Sequence, residues 1–320
     1  MPLLTRKNIP GSPGLLPGAY TLPLVTDDRA LNQLSSRPGA AERLRAGLFE
    51  TCANPGCGSG WLHLWRSRSA PVFEQGWTCS PACTEARIGA AVARELEGRT
   101  RGARESHRHR VPLGLLMLEQ GWITRAQLRR ALEAQKAAGT GRLGQWLIRQ
   151  RAINEEQVTR ALGLQWSCPV LSLEHHDSAA MAAVMPRLFV DAFGALPLRV
   201  AAGRVLYLGF EQALDPVLAL ALERMSGLRV ECGIVAGSLF QQAHRRMLEA
   251  QFPPVELIEA VSQSVAAHSL ARSLEKARPG TARLARVHEC LWLRMWERTS
   301  GQGSILGTGW VRDVVCSIGL

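Results

Sequence analysis

Four of the eight cysteines in this 320-residue sequence are paired, as Cys52-x4-Cys57 and Cys79-x3-Cys83, with 21 residues between the pairs. Two close pairs on one short segment supply the four soft donors that a tetrahedral zinc site takes. If sulfur fills all four positions, no coordination position stays open, and such a site is structural rather than catalytic. The competing reading is four buried thiols without metal. His63 lies between the pairs and is an alternative ligand, although a histidine on a loop is more often merely solvated. The remaining cysteines, Cys168, Cys232, Cys290 and Cys316, are scattered, as small buried apolar residues in a reducing cell would be.

The elements that must hold this cluster are legible. Asn54-Pro55-Gly56-Cys57-Gly58 reads as a glycine-rich knuckle, and Ser80-Pro81 as the cap and first position of a helix running on through Thr84–Leu96. A cysteine pair on a knuckle and another at a helix start is the layout of a treble clef. The run Trp77-Thr78-Cys79-Ser80-Pro81-Ala82-Cys83 resembles the aromatic-x-Cys-Ser-x-x-Cys segment of MYM/TRASH-type zinc modules. Trp61, Trp65 and Arg66 beside it read either as a recognition surface or as the small core that such a module lacks.

Downstream lies an internal repeat. Pro112–Gln135 laid over Arg142–Gln165 at a constant offset of 30 gives nine identities in 24 positions, among them Leu113/Leu143, Gly114/Gly144, Gln127/Gln157 and Gln135/Gln165. Each copy predicts helix, turn, helix, because apolar residues fall at helical spacing on both sides of Ile123 or Ile153. The second helix opens on a capping box, Thr124 with Gln127 and Asn154 with Gln157. Ile123 with Leu128, and Ile153 with Val158, then occupy the two positions of a hydrophobic staple.

These paired segments resemble the Arg-Leu-Gly-x-x-Leu … Leu-x-x-Gln motifs in the N-terminal domain of type II secretion and type IV pilus assembly ATPases, over about residues 110–250. In the MshEN subset the paired motifs bind cyclic di-GMP. The resemblance therefore implies a ligand site at Leu113, Gly114, Gln135, Arg142, Leu143, Gly144 and Gln165, with secretion or pilus machinery proteins as partners. The chemistry is plausible: arginine pairs bidentately with guanine, glycine permits close backbone approach, and free N–H groups at helix starts suit phosphates. The first copy has Pro112 where the family has arginine, and the second has Arg151 where it has glycine. A motif kept for helix packing alone is the alternative.

Other chemistry is not evident in the sequence. A P-loop needs Gly-Lys-Ser/Thr, and none of the three lysines, Lys7, Lys136 and Lys276, follows a glycine. No zinc-protease or nucleophile-elbow motif occurs, so we expect a non-enzyme without the ATPase. His175-His176-Asp177 reads as a loop. The formal charge of +11 favours anionic partners, which makes a zinc-dependent nucleic-acid-binding regulator the alternative function. With no run long enough to span a membrane and no apolar leader at the N-terminus, the expected location is cytoplasmic.

The expected fold class is α+β and multidomain: a small zinc module, a helical repeat subdomain and a small α/β (ββαβα) subdomain. Residues 1–40 read as a flexible tail, 41–97 as the zinc module with its helix, 98–110 as a basic linker with five arginines against one glutamate, and 111–180 as the repeat. A short helix is expected over Ala40–Phe49. Residues 181–250 form the α/β layer, with a hairpin turning at Ala201-Ala202-Gly203, a helix over Asp215–Met225, a strand over Arg229–Val235 and a helix capped by Ser238. The final segment, 251–320, reads as a helix over Val255–Ala277 and an apolar tail, whose Cys290–Trp296 run fits strand or buried helix equally.

Overall fold

The computed structural model describes residues 52–58, 71–102, 110–174, 176–297 and 309–319. The architecture is α+β. The helix expected over Ala40–Phe49 lies outside the described residues, as do His63, Trp61, Trp65, Arg66 and His175.

The repeat forms four helices: α2 (Leu113–Glu119), α3 (Arg125–Ala138), α4 (Leu143–Arg149) and α5 (Glu155–Trp166). Both capping boxes are made, with the Thr124 and Asn154 side chains accepting from the Gln127 and Gln157 amides. Both first helices end alike: Trp122 N–H reaches Met117 O and Gly121 N–H reaches Leu118 O, while Ala152 and Arg151 bond to Leu147 and Ile148. This is the Schellman termination, which needs a left-handed residue after the cap. Gly121 (φ 67°) supplies it in copy 1, and Arg151 (φ 54°) is forced into it in copy 2.

Packing then crosses between the copies, α2 against α5 and α3 against α4. The core obeys the same offset, since Met117, Ile123 and Ala131 are buried with Leu147, Ile153 and Ala161.

The α/β layer follows α6 (Ser178–Met181) and α7 (Arg187–Phe193). Strands β3 (Ala195–Ala201) and β4 (Val205–Phe210) form an antiparallel hairpin whose turn places Ala202 and Gly203 at φ 49° and 63°, the left-handed pair that a tight hairpin favours. Helix α8 (Pro216–Ser226), capped by Asp215 and stopped by left-handed Gly227, carries the chain to β5 (Arg229–Ile234), parallel to β4. Helix α9 (Gly237–Leu248) completes the expected ββαβα order.

The C-terminal region differs from expectation. Val255–Ala260 is a strand, β6, and helix α10 (Gln263–Ala277) begins only where the Ser262 hydroxyl accepts the Val265 amide. The apolar spacing fits a helix across both, and the cap at Ser262 is what divides them. Cys290–Trp296 is strand β8, between β7 (Thr281–Val287) and β9 (Val311–Ile318), and the sheet order is β6-β9-β8-β7. Far from an apolar tail, this sheet has a full hydrophobic face. Inside it the buried Arg294 pairs bidentately with buried Asp313 at 2.8 and 2.9 Å, and Trp292 Nε1 donates to the same carboxylate at 2.7 Å.

Helix α1 (Pro81–Gly102) packs on α10. It thus runs into the stretch expected as linker, through Gly102. Its Ile88, Ala91 and Val92, with Phe73, share one core with Leu270, Leu274, Leu284 and Leu293. The cysteine-bearing segment therefore obtains the core it lacks from the C-terminal sheet.

Candidate functional site

The four paired cysteines converge. One sulfur from each of Cys52, Cys57, Cys79 and Cys83 lies within 4.8 Å of the others, and Cys57–Cys79 and Cys79–Cys83 approach to 3.5 and 3.7 Å. With Zn–S bonds near 2.3 Å, an ideal tetrahedron has edges of about 3.8 Å, so the spacing fits a four-thiolate ion.

Local sequence explains the geometry. The Asn54 carbonyl accepts Cys57 N–H at 3.0 Å and its Oδ1 accepts Gly56 N–H at 3.1 Å, folding the knuckle. A hairpin, β1 (Val72–Phe73) and β2 (Gly76–Trp77), delivers Cys79, and Trp77 O accepts Ala53 N–H to fix the knuckle beside it. Gly76 is required there, because a Cβ would lie 2.5 Å from that of Ala53. Cys83 sits in the first turn of α1, where Ser80 Oγ accepts its amide.

Burial and the neighbouring thiols push Cys79 up to about 12, burial raises Cys52, and the Ser80 hydroxyl holds Cys83 below the usual thiol range. Without a cation the Cys52 and Cys79 thiols keep their protons. A divalent ion would displace them.

The residues that the repeat motif marks are only partly brought together. Leu113, Arg142, Leu143 and Gly144 border one cleft of about 360 Å³, whereas Gly114, Gln135 and Gln165 do not line it. Gln135 and Gln165 have another role. Gln135 Nε2 donates to Gly141 O and Gln165 Nε2 to Val111 O, both at 2.8 Å. Gly141 and Val111 are themselves 30 apart, so each copy's glutamine clasps the start of the other copy. Gly114 and Gly144 are buried packing positions, where a Cβ would come within 2.8 Å of Leu128 or Val158.

The cleft itself joins copy 2 to the α/β layer. Arg142 Nη1 pairs with Glu211 at 3.3 Å, and Glu155 accepts both the amide and the hydroxyl of Ser238, at 2.6 and 2.7 Å. Ser238 is therefore not the cap of α9. That helix starts after Ala236 without a side-chain cap, because a carboxylate from the repeat serves its free N–H group instead. Glu155, Glu211 and Ser238 were not foreseen as site residues, although Glu155 stands out as an acid where copy 1 has Arg125. Arg110, two residues before Pro112, stacks on Trp166 at 3.3 Å.

No family model matches the chain. Over 125 residues it is 34% identical to bacteriophage adsorption protein B of Escherichia coli (strain K12) and to bacteriophage N4 adsorption protein B of Escherichia coli O157:H7, a match covering 39% of this chain. The chain spans 16% of the length of these curated relatives. Among solved structures, MshE with cdg is 29% identical with a TM-score of 0.36, covering 43% of this chain and 99% of that one. The N-terminal domain of XpsE is 17% identical with a TM-score of 0.29, covering 43% and 91%.

His176 Nδ1 donates to Leu198 O (3.3 Å) and its Nε2 pairs with Ser178 Oγ (3.1 Å), and Asp177 caps α6 by accepting the Ala179 and Ala180 amides. The carboxylate is taken up by the helix amides, which makes this segment a turn and a cap. No helix among the described residues is long and apolar enough to cross a membrane.

Proposed function

We propose that this protein is a non-enzymatic adaptor or regulator of secretion- or pilus-type machinery, with a structural zinc ion held by Cys52, Cys57, Cys79 and Cys83. The observation that carries the adaptor reading is the use made of the motif residues. Gln135 and Gln165 clasp the two copies together, Gly114 and Gly144 let the helices within each copy pack closely, and Arg142 is paired with Glu211, so the repeat is built as a rigid docking scaffold. The 125-residue match within a much longer curated relative supports a transferable module of this kind. In-cell cross-linking with mass spectrometry tests it: secretion or pilus components joined to residues 110–250 are expected. Cross-links to nucleic acid alone, with salt-dependent binding of nonspecific duplex DNA, would move the assignment to a nucleic-acid regulator.

A second reading draws on Arg142, Leu143 and Gly144 at the cleft. There cyclic di-GMP would meet one arginine and two carboxylates, Glu155 and Glu211. That balance disfavours a dianion. Calorimetry on the full chain distinguishes the readings: weak or no heat is expected for the natural sequence. Pro112→Arg should strengthen binding by restoring a guanine contact of about 1–3 kcal/mol. Tight binding that Arg142→Ala abolishes would favour the sensor.

A further inference from the structure

The offset that aligns the two copies also aligns two grooves. The copy-2 cleft is bordered by Ile148, Val158 and Leu162, with Glu155 at its edge. Their counterparts Leu118, Leu128 and Leu132, with Arg125 at the edge, line a groove of about 490 Å³ on copy 1. The grooves differ in what covers them. Over copy 2 lie Glu211, Gln212 and the first turn of α9, and Leu162 packs into the α/β core. In copy 1, Leu132 is 46% exposed and Leu115 beside it 53%.

Their charge is inverted as well. Arg125 stands for Glu155 and Arg129 for Thr159, and Lys136 extends the rim, with Glu133 the acid among the lining residues. Among the described residues none of these three cations makes an ion pair.

We propose that the copy-1 groove docks an acidic amphipathic helix of a partner protein, its apolar face on Leu115, Leu118, Leu128 and Leu132 and its carboxylates against Arg125, Arg129 and Lys136. Copy 2 displays the mode, since a helix end already lies on the equivalent face. There the groove offers a carboxylate and the incoming helix an N–H and a hydroxyl. With arginine on the groove instead, the complementary incoming group is a carboxylate. A second copy of this chain, at a formal charge of +11, has the wrong overall sign for a cationic rim. A polyanion such as nucleic acid would use the cations and leave the leucine floor bare.

The proposal rests on the adaptor reading, and its test is separate from the cross-linking above. Fluorescence anisotropy of the full, zinc-loaded chain would use a labelled synthetic helix of leucine and glutamate at amphipathic spacing, and its lysine-for-glutamate counterpart. The glutamate helix is expected to bind at least about ten-fold tighter, and R125E/R129E, at two exposed positions, to reverse that preference. Leu132→Asp should weaken the glutamate helix about as much, and Glu155→Gln in the other cleft should leave it unchanged. Equal binding of the two helices, or a preference that survives R125E/R129E, overturns the proposal. So does duplex DNA or cyclic di-GMP binding that R125E/R129E abolishes and Leu132→Asp spares. If the peptide arm fails while cross-links to machinery components persist, the groove assignment falls and the adaptor reading stands.

Discussion

Arg151 occupies a backbone conformation that its counterpart Gly121 adopts freely, φ 54° against 67°. An L-residue pays about 1–2 kcal/mol for that conformation, partly offset because glycine loses more entropy on folding. Arg151→Gly should therefore stabilise the protein by about 0.5–1 kcal/mol, read from the urea midpoint, and Gly121→Ala should cost about 1 kcal/mol. No contact of the arginine side chain has to be invoked. The difference between the copies at this position is a backbone matter, whereas Pro112 against Arg142 is the loss of a guanidinium.

At the scale of elements, the closeness of α4 to α5 depends on Gly144. Adding a Cβ puts it 2.8 Å from Val158 Cγ1, so Gly144→Ala should cost about 1–3 kcal/mol by overpacking. Val158→Ala in that background should recover part of the loss, a coupling that a double-mutant cycle measures. The repeat helices were legible because two independent signals, capping box and apolar spacing, recur at one offset. Strand β6 was not, since Val255–Ala260 continues the apolar spacing of α10 and only Ser262 separates them. The clasp of Gln135 and Gln165 was invisible for a different reason. It joins residues of opposite copies, and sequence spacing carries no information about which copy a side chain reaches. The cysteine cluster was legible because its ligands arrive in local pairs; Glu211 and Ser238 reach their cleft from distant segments of the chain.

For the whole molecule, the metal site and the C-terminal sheet stand or fall together. Helix α1 carries Cys83 in its first turn, contributes Ile88 and Val92 to the shared core, and places buried Glu95 against Arg224 on α8 at 2.7 and 2.8 Å and the Arg286 amide at 3.2 Å. About one zinc per chain is expected by metal analysis. Chelation should raise hydrogen exchange along α1, α10 and β7, and loading the metal-free protein should release protons, because thiols held protonated by burial become thiolates. Full protection after chelation would remove the structural role. Glu95→Gln should cost about 1 kcal/mol, because Arg224, 45% exposed, regains water when the carboxylate is lost. The crossed pairing of α2 with α5 and α3 with α4 has one more consequence, for oligomeric state. Every contact between the copies is one that two separate chains could make equally well, and the short connector through Gly139, Thr140 and Gly141 favours one chain making them with itself. Deleting Gly139 and Thr140 should tip the protein into a domain-swapped dimer that keeps the same repeat core, visible as a doubled mass in light scattering.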